Sequence, residues 1–418
     1  MSSQTQTGPP QVARAAVPGI PRTDALDGIR AIAAFIVLTV HVGMTAGNAS
    51  GQTTAWHVVL NFGVGVPIFY TLSGLLLYRP WVKAALGSAP RRPAVPRYLW
   101  RRALRILPAY WVVAATALIA FWSVHMGSVW SWVQWLGLIQ IYDRHPWWTG
   151  LGPSGLGPMW SLATELSFYL ALPLIAAALA RLARGGDVDA RARRLLYGIG
   201  VLILLSFLWV LCVHFGVNFF DAAYLEQFLP RWMGCFGAGM ALAVLAEWAV
   251  RSPAHPVARL TRTITASPGV FWSVAAALLL LVATPIGTPI TMQLLSDGQY
   301  LARVVLHPLI AVALIAPMAF PQVRPGRLRA FLGSPVMRFL GRISFGIFLW
   351  HSVVIEAWDR LTHQPLFSFD FWTLFTVTVA GTLVMATLSY YLIEKPAQRL
   401  ANVGRTLVAG TAKEPLQR

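Results

Sequence analysis

Two polar side chains lie inside the first long apolar stretch of the chain, LDGIRAIAAFIVLTVH. They are Arg30 and His41, with Asp27 one turn ahead. The eleven-residue spacing makes about three helical turns, so both side chains project from one helix face, about 16 Å apart along its axis. Arginine stays charged, whereas histidine exchanges a proton near neutral pH. Because such groups are costly inside a membrane, the pair predicts a chemical role.

A carboxylate, Glu165, lies in a second apolar stretch, PMWSLATELSFY. Ser161 and Tyr169 are four residues before and after it, on the same helix face. The span that carries Glu165 is predicted to start at the outer surface near residue 159, which puts Glu165 about 9 Å below that surface. His41 is predicted to lie at a similar depth, so the two side chains can meet. In the alternative interpretation, Glu165 only orients helices through hydrogen bonds.

Two arginines, Arg102 and Arg105, open a third apolar stretch in RYLWRRALRILPAY. They are three residues apart and therefore neighbours on a helix surface. Basic residues at the cytoplasmic end of a span are explained by membrane anchoring alone. The alternative is a cytoplasmic clamp for a phosphate-bearing donor, which the fork geometry of arginine suits.

Two further positions allow either chemistry or simple packing. His351 lies about 13 Å into the span LGRISFGIFLWHSVVI, close to the middle of a bilayer. Ser73 precedes Gly74 in FYTLSGLLL, and a pair of small residues more often permits close helix packing than catalysis.

The composition predicts the elements that position these residues. The chain has 418 residues, of which 56% are hydrophobic and 11% charged, whereas a soluble domain has about 25% charged residues. We therefore predict an all-α polytopic membrane bundle of about ten transmembrane helices. The predicted spans are 27–47, 57–79, 103–126, 159–181, 195–216, 224–248, 270–286, 301–320, 341–361 and 370–393.

The charge pattern predicts the orientation. The net charge is +18, and the basic residues cluster in alternating short links, as in cytoplasmic loops, so we predict no nucleic-acid partner. Both termini are expected in the cytoplasm, with tails at 1–24 and 397–418 around a membrane domain at 25–396. The aromatic stretch 128–141 is too short to cross and is predicted to be an interfacial or re-entrant helix.

Several kinds of site are not indicated by the sequence. There is no GxSxG elbow, P-loop or dinucleotide-binding glycine motif. No zinc-spaced Cys/His cluster occurs, so we predict no metal. The two cysteines, Cys212 and Cys235, lie in apolar segments and are interpreted as core residues.

Taken in order, these segments resemble acyltransferase family 3, the membrane-bound O-acyltransferases of bacterial envelopes. The resemblance covers about residues 24–400. One departure is that a single carboxylate, Glu165, stands where the family more often has Val-Glu or two acidic residues. The elements that carry the resemblance are LDGIRAIAAFIVLTVH, FYTLSGLLLYRP, RRALRILPAYW, GPMWSLATELSFYLALPL, LGRISFGIFLWHSVVI and YYLIEKPAQRL.

The resemblance implies transfer of an acyl group, usually acetyl, from cytoplasmic acyl-CoA to a hydroxyl of a sugar or related acceptor. It makes residues 25–396 an acyltransferase domain of the inner (plasma) membrane. Arg102 and Arg105 are expected to hold the CoA phosphates, with Arg30 between them and His41. His41 is expected to act as general base with Glu165 orienting it, or to form an acyl-histidine.

The acceptor stays open between two classes. An envelope glycolipid or polysaccharide, for example a trehalose lipid, is the first choice, and a macrolide-type secondary metabolite is the second. A glycolipid transporter is the non-enzyme alternative, because it also uses charges within the membrane. Consumption of acyl-CoA coupled to modification of an acceptor distinguishes the enzyme from the transporter.

Overall fold

The computed structural model describes residues 24–47, 53–89, 92–217, 224–289, 295–320, 326–365 and 368–400. Within these ranges every regular element is helical, which confirms the predicted all-α class. Nearly all of the two predicted tails lies outside the described residues, and the cytoplasmic location of the termini stays a prediction.

Fourteen α-helices are described, and nine helical stretches are long and apolar enough to cross a membrane. This confirms a multi-pass membrane protein. The helices are α1 (Asp24–Thr45), α2 (Thr54–Leu60), α3 (Gly65–Ala85), α4 (Val95–Trp122), α5 (Val129–Leu136), α6 (Met159–Leu182), α7 (Val188–Gly216), α8 (Leu229–Arg251), α9 (Pro256–Ala266), α10 (Pro268–Val282), α11 (Asp297–Ala319), α12 (Arg327–Leu332), α13 (Pro335–Thr362) and α14 (Phe371–Ser389).

The seventh predicted span, 270–286, is part of a broken helix. Helix α10 has 15 residues, about 22 Å, which is short of the roughly 30 Å apolar layer of a bilayer. It meets α9 at 75°, and the two together make up one candidate span. The physical reason is that Pro256 and Pro268 each begin a helix, since a proline is favoured where the backbone N–H has no helical partner.

The helices of several other predicted spans begin elsewhere than expected, and two of these differences follow from local sequence. The second, predicted from residue 57, is preceded by α2 and a 3₁₀ turn over Asn61–Val64, so the helical stretch runs from Ala55 to Ala85. The sixth, predicted from residue 224, begins at Leu229, because Pro230 occupies the first turn of α8.

The aromatic stretch 128–141 contains α5, whose eight residues extend only about 12 Å. It therefore does not cross a bilayer, as predicted. The helix packs on α4, since Trp135 is fully buried and the Tyr110 hydroxyl donates a hydrogen bond of 2.5 Å to the Trp135 carbonyl oxygen.

Ion pairs between helix termini define two ends of the bundle. At the end where α1 begins, called here the near end, Arg338 of α13 lies 3.2 Å from Asp24. At the opposite end, called the far end, His214 of α7 lies 2.9 Å from Asp297 of α11. The charge pattern of the sequence predicts that the near end faces the cytoplasm.

Glycines allow two pairs of helix backbones to come unusually close. A Cβ atom placed on Gly74 of α3 would lie 2.1 Å from the Phe236 carbonyl oxygen of α8, and one on Gly341 of α13 would lie 2.2 Å from the Asp27 carbonyl oxygen of α1. Real Cβ atoms do not approach other atoms this closely. Small residues at such contacts are typical of membrane helix pairs.

We expect Gly74→Ala to destabilise the protein. The added methyl group would push α3 away from α8, and overpacking of this kind typically costs about 1–3 kcal/mol. The measurement is the melting temperature and the yield of monodisperse protein in detergent. Gly200→Ala is the control, because nothing lies within 4 Å of a Cβ at that position. Equal melting temperatures for the two variants would contradict the close contact.

Candidate active site

A cavity of about 430 Å³ extends from the near end toward the middle of the bundle. It brings together most of the polar residues that the sequence selects, although they belong to four different helices. His41 and His351 do not line this cavity. The predicted site residues that line it are Asp27, Arg30, Ser73, Arg102, Arg105, Ser161, Glu165 and Tyr169.

Arg30 is paired within its own helix. Its Nη1 atom lies 2.7 Å from Asp27 Oδ1, and both side chains are about a quarter exposed. Because Asp27 neutralises the Arg30 charge and holds the guanidinium group, Arg30 is fixed at the wall of the cavity. The sequence placed these two residues on one helix, and the structure shows that they form an ion pair.

Glu165 accepts hydrogen bonds from two hydroxyl groups. One donor is Ser73 Oγ on α3, and the other is the Tyr169 hydroxyl at 2.7 Å on the same helix, α6. The third hydroxyl residue, Ser161, donates to the Pro158 carbonyl oxygen at 3.0 Å. The adjacent residues Ser73 and Gly74 therefore contact different helices: Ser73 contacts α6, and Gly74 contacts α8.

Arg102 and Arg105 form no salt bridge or hydrogen bond with any residue that the structure describes, and the Arg102 Nε atom is buried. The cavity thus holds three arginines and two carboxylates, Asp27 and Glu165, with a formal charge of +1. A partly enclosed cavity with unpaired guanidinium groups favours an anionic ligand, since phosphate oxygens match the fork of donors.

The two histidines form a pair in the core of the bundle. His351 Nε2 lies 3.3 Å from His41 Nδ1, and the ring centroids are 5.0 Å apart. His41 Nδ1 also lies 2.7 Å from the Val37 carbonyl oxygen, and His351 Nδ1 lies 3.2 Å from that of Ile347. His351 has no exposed surface, whereas His41 is partly exposed.

These contacts assign the tautomers of the two neutral rings. A carbonyl oxygen only accepts hydrogen bonds, so both Nδ1 atoms carry the proton. The single His41 Nδ1 proton is donated to the Val37 carbonyl oxygen at 2.7 Å. His351 Nε2, at 3.3 Å, is a second and weaker acceptor of that same proton, and His41 Nε2 keeps an unprotonated lone pair. That nitrogen is the basic and nucleophilic atom of the pair.

No hydrogen bond joins His41 and Glu165 in the described part of the chain. His41 contacts α13, whereas Glu165 contacts α3. The predicted similar depth of the two residues therefore does not bring them together in a hydrogen bond. Phe348 lies between the two groups of residues. Its ring is 6.0 Å from that of His351 and 6.4 Å from that of Phe69, and both phenylalanines line the cavity.

The sequence analysis missed several lining residues that follow the spacing of the predicted ones. Ser344 and Phe348 precede His351 by seven and three residues on the face of α13. Phe69 precedes Ser73 by four residues on α3. Helical periodicity counted from each polar residue is the signal that could have found them.

Comparisons with known proteins find similar sequences along nearly the whole chain. The family model for the acyltransferase domain matches residues 23–394. Acyltransferase MdmB of Streptomyces mycarofaciens is 28% identical over 423 residues, which cover 95% of this chain and 97% of that protein.

Two longer relatives match along only part of their length. The putative peptidoglycan O-acetyltransferase YrhL of Bacillus subtilis is 26% identical over 89% of this chain and 54% of its own length. Peptidoglycan O-acetyltransferase OatA of Listeria monocytogenes is 23% identical over 90% of this chain and 55% of its own. The chain thus spans about half the length of these two relatives. No solved structure matches the chain.

Proposed function

Because this chain belongs to acyltransferase family 3, we propose that it moves an acyl group, in the first instance acetyl, from cytoplasmic acyl-CoA to a sugar hydroxyl of a cell-envelope glycolipid or polysaccharide. The observation that carries the proposal is the cavity that Arg102 and Arg105 line together with Arg30, where neither forms a salt bridge with a described carboxylate. The proposed location is the plasma membrane, with the near end in the cytoplasm.

The donor is proposed to bind with its phosphate groups at Arg102 and Arg105. Each guanidinium group can donate two parallel hydrogen bonds to a phosphate. Arg30, held by Asp27, lies along the same cavity and can contact the donor closer to its acyl end. The acyl end is proposed to pass Phe348 on the way to His41, because that ring lines the cavity and its centroid is 6.0 Å from that of His351.

His41 Nε2 is the proposed reacting atom in both mechanisms that the sequence left open. As a general base it takes the proton of the acceptor hydroxyl while the oxygen attacks the thioester carbonyl, and the proton then passes to the departing CoA sulfur. In the covalent alternative it attacks the thioester first and expels CoA as the thiolate. The acceptor hydroxyl then attacks the resulting acyl-histidine and releases the imidazole, and the hydroxyl proton passes to the CoA thiolate. His351 is a positioning residue, since its Nε2 accepts from His41 Nδ1.

Glu165 is proposed to set the charge of the donor cavity and to hold the hydroxyls of Ser73 and Tyr169. An amide oxygen can accept the same two hydrogen bonds, so Glu165→Gln keeps the geometry and removes one negative charge. At about 10 Å and an effective dielectric constant of about 20–40, that charge is worth on the order of 1 kcal/mol against an anionic ligand. We expect CoA to bind Glu165→Gln about fivefold more tightly, as measured by isothermal titration.

Glu247→Gln is the matched control for this titration, because Glu247 lies outside the cavity on α8. Its CoA affinity should equal that of the unmodified protein. Weaker binding of CoA to Glu165→Gln would mean that the carboxylate contacts the donor directly, and would contradict the charge-setting role.

The proposed reaction is tested by mass analysis of envelope lipids and glycans from cells with the active protein and from cells with His41→Ala. We look for a molecule whose mass increases by one acetyl or longer acyl group only when the active protein is present. That molecule is the acceptor, and the mass increase identifies the acyl chain. Secreted metabolites are analysed in parallel, since a macrolide-type acceptor is the alternative. Transport of a glycolipid without consumption of acyl-CoA would contradict the proposed enzymatic activity.

A further inference from the structure

A second, smaller cavity of about 150 Å³ lies in the far half of the bundle. Its cationic and ionisable lining consists of Arg231 of α8 with Arg303 and His307 of α11. Helix α3 separates it from the proposed donor cavity, since Pro67 lines the small cavity and its neighbour Val66 lines the large one.

The two arginines are held in place by uncharged groups. Arg303 donates from Nε to the Gly287 carbonyl oxygen at 2.6 Å and from Nη2 to Thr288 Oγ1 at 3.2 Å. The Arg231 guanidinium carbon lies 4.6 Å from the centre of the Trp232 ring, which is cation–π geometry. Both guanidinium groups therefore keep donors that are not used by these contacts.

No carboxylate that the structure describes forms a salt bridge with Arg231 or Arg303; Glu226 interacts with Tyr300, which also neighbours Arg231. The Nε atom of Arg231 and the Nε2 atom of His307 are buried and have no hydrogen-bond partner within the described ranges. Leaving such donors unsatisfied costs about 1–3 kcal/mol each. Two cations without a carboxylate partner in a cavity between membrane helices favour an anionic ligand.

An apolar groove of about 500 Å³ continues from this basic cavity along α7, α8 and α11. The groove and the cavity share four lining residues, so they form one continuous depression. Leu204, Phe207 and Val305 line the groove and are exposed on the outer surface of the helices, where a bilayer places hydrocarbon chains. The shared residues are Arg231, Cys235, Val304 and Pro308.

We infer that this depression is a binding site for a membrane lipid with an anionic phosphate head group. The phosphate lies between Arg231 and Arg303, and a hydrocarbon chain lies in the groove. Charge complementarity selects the head group, because arginine forks match phosphate oxygens and basic pockets between membrane helices bind such lipids. The site is separate from the donor cavity, so it does not depend on the identity of the acyl donor.

The test is binding of phosphatidylglycerol to the full-length protein in detergent, followed by native mass spectrometry. We expect saturable binding that falls at least tenfold in the double variant Arg231→Gln, Arg303→Gln. Gly200→Phe should reduce binding by a comparable factor, because it fills the groove at a position with nothing within 4 Å of a Cβ atom. Circular dichroism and melting temperature establish whether each variant is folded. If the double variant is not folded, Arg303→Lys replaces it.

Two matched controls should leave binding unchanged. Arg259→Gln removes an exposed charge on α9, and Gly269→Phe adds a ring on α10 at an open position. Diacylglycerol, which lacks the phosphate, should bind at least tenfold more weakly than phosphatidylglycerol. Three results would each overturn the proposed lipid site. They are equal binding of the two lipids, unchanged phosphatidylglycerol binding in folded arginine variants, and displacement of phosphatidylglycerol by millimolar inorganic phosphate.

Discussion

Replacing His41 by alanine is expected to lower acyl-transfer turnover about 10²- to 10⁴-fold, the usual contribution of a positioned general base. The variant should still fold, because the loss involves one partly exposed ring and its hydrogen bonds to the Val37 carbonyl oxygen and to His351. It should also bind CoA normally, since His41 does not line the donor cavity. The measurement is kcat with acyl-CoA and the acceptor found by envelope analysis, together with CoA affinity.

His57→Ala serves as the matched control, since His57 lies on the short helix α2 and lines none of the cavities described above. Intact mass after mixing acyl-CoA with the protein in the absence of acceptor separates the two mechanisms: an added acyl group lost in His41→Ala supports the covalent route. Near-normal turnover by His41→Ala would rule out both routes.

Removing either cationic side chain at the near end of α4 should weaken donor binding. A hydrogen bond to a charged group contributes about 1.5–3 kcal/mol, so Arg102→Gln and Arg105→Gln should each raise the CoA dissociation constant about 10- to 100-fold. At saturating donor, kcat should change little, because neither residue is proposed to touch the reacting atoms. Arg102→Lys should recover only part of the affinity, since lysine lacks the planar fork.

Arg97→Gln is the control, because Arg97 is exposed in the first turn of the same helix and does not line the cavity. This comparison distinguishes the two interpretations of the arginines in the sequence. If Arg102 and Arg105 only anchor the helix, all three variants will bind CoA with the affinity of the unmodified protein. That result would remove the main support for the proposed donor site.

The sequence was sufficient to single out most of the polar residues that line the cavity. A charge stands out in an apolar span because it is costly there, and the hydroxyl residues follow from helical spacing; eight predicted polar residues, from Asp27 to Tyr169, line one cavity, whereas His41 and His351 do not. Depth along each helix was also predictable from a fixed rise of about 1.5 Å per residue. The rotation of one helix about its axis relative to another was not, since it depends on packing between residues far apart in sequence.

That missing rotation explains the difference at His41. Gly341 lets α13 contact the backbone of α1 at Asp27, and the same helix then places His351 beside His41. Glu165 is held instead by Ser73, on a helix that Gly74 fixes against α8. Single glycines thus help to decide which polar groups meet, and a glycine in a single sequence does not reveal its partner helix.

The adjacency of Ser73 and Gly74 has a consequence for mutational scanning. A screen that scores growth or product would find both positions intolerant and would assign them to one functional motif. The two losses would have different origins, because Ser73 variants would reach the membrane in normal amount and Gly74 variants would be removed by quality control. Measuring protein abundance as well as activity at each position would therefore separate the two effects. Ser73 variants would lose activity at normal abundance, whereas Gly74 variants would lose abundance.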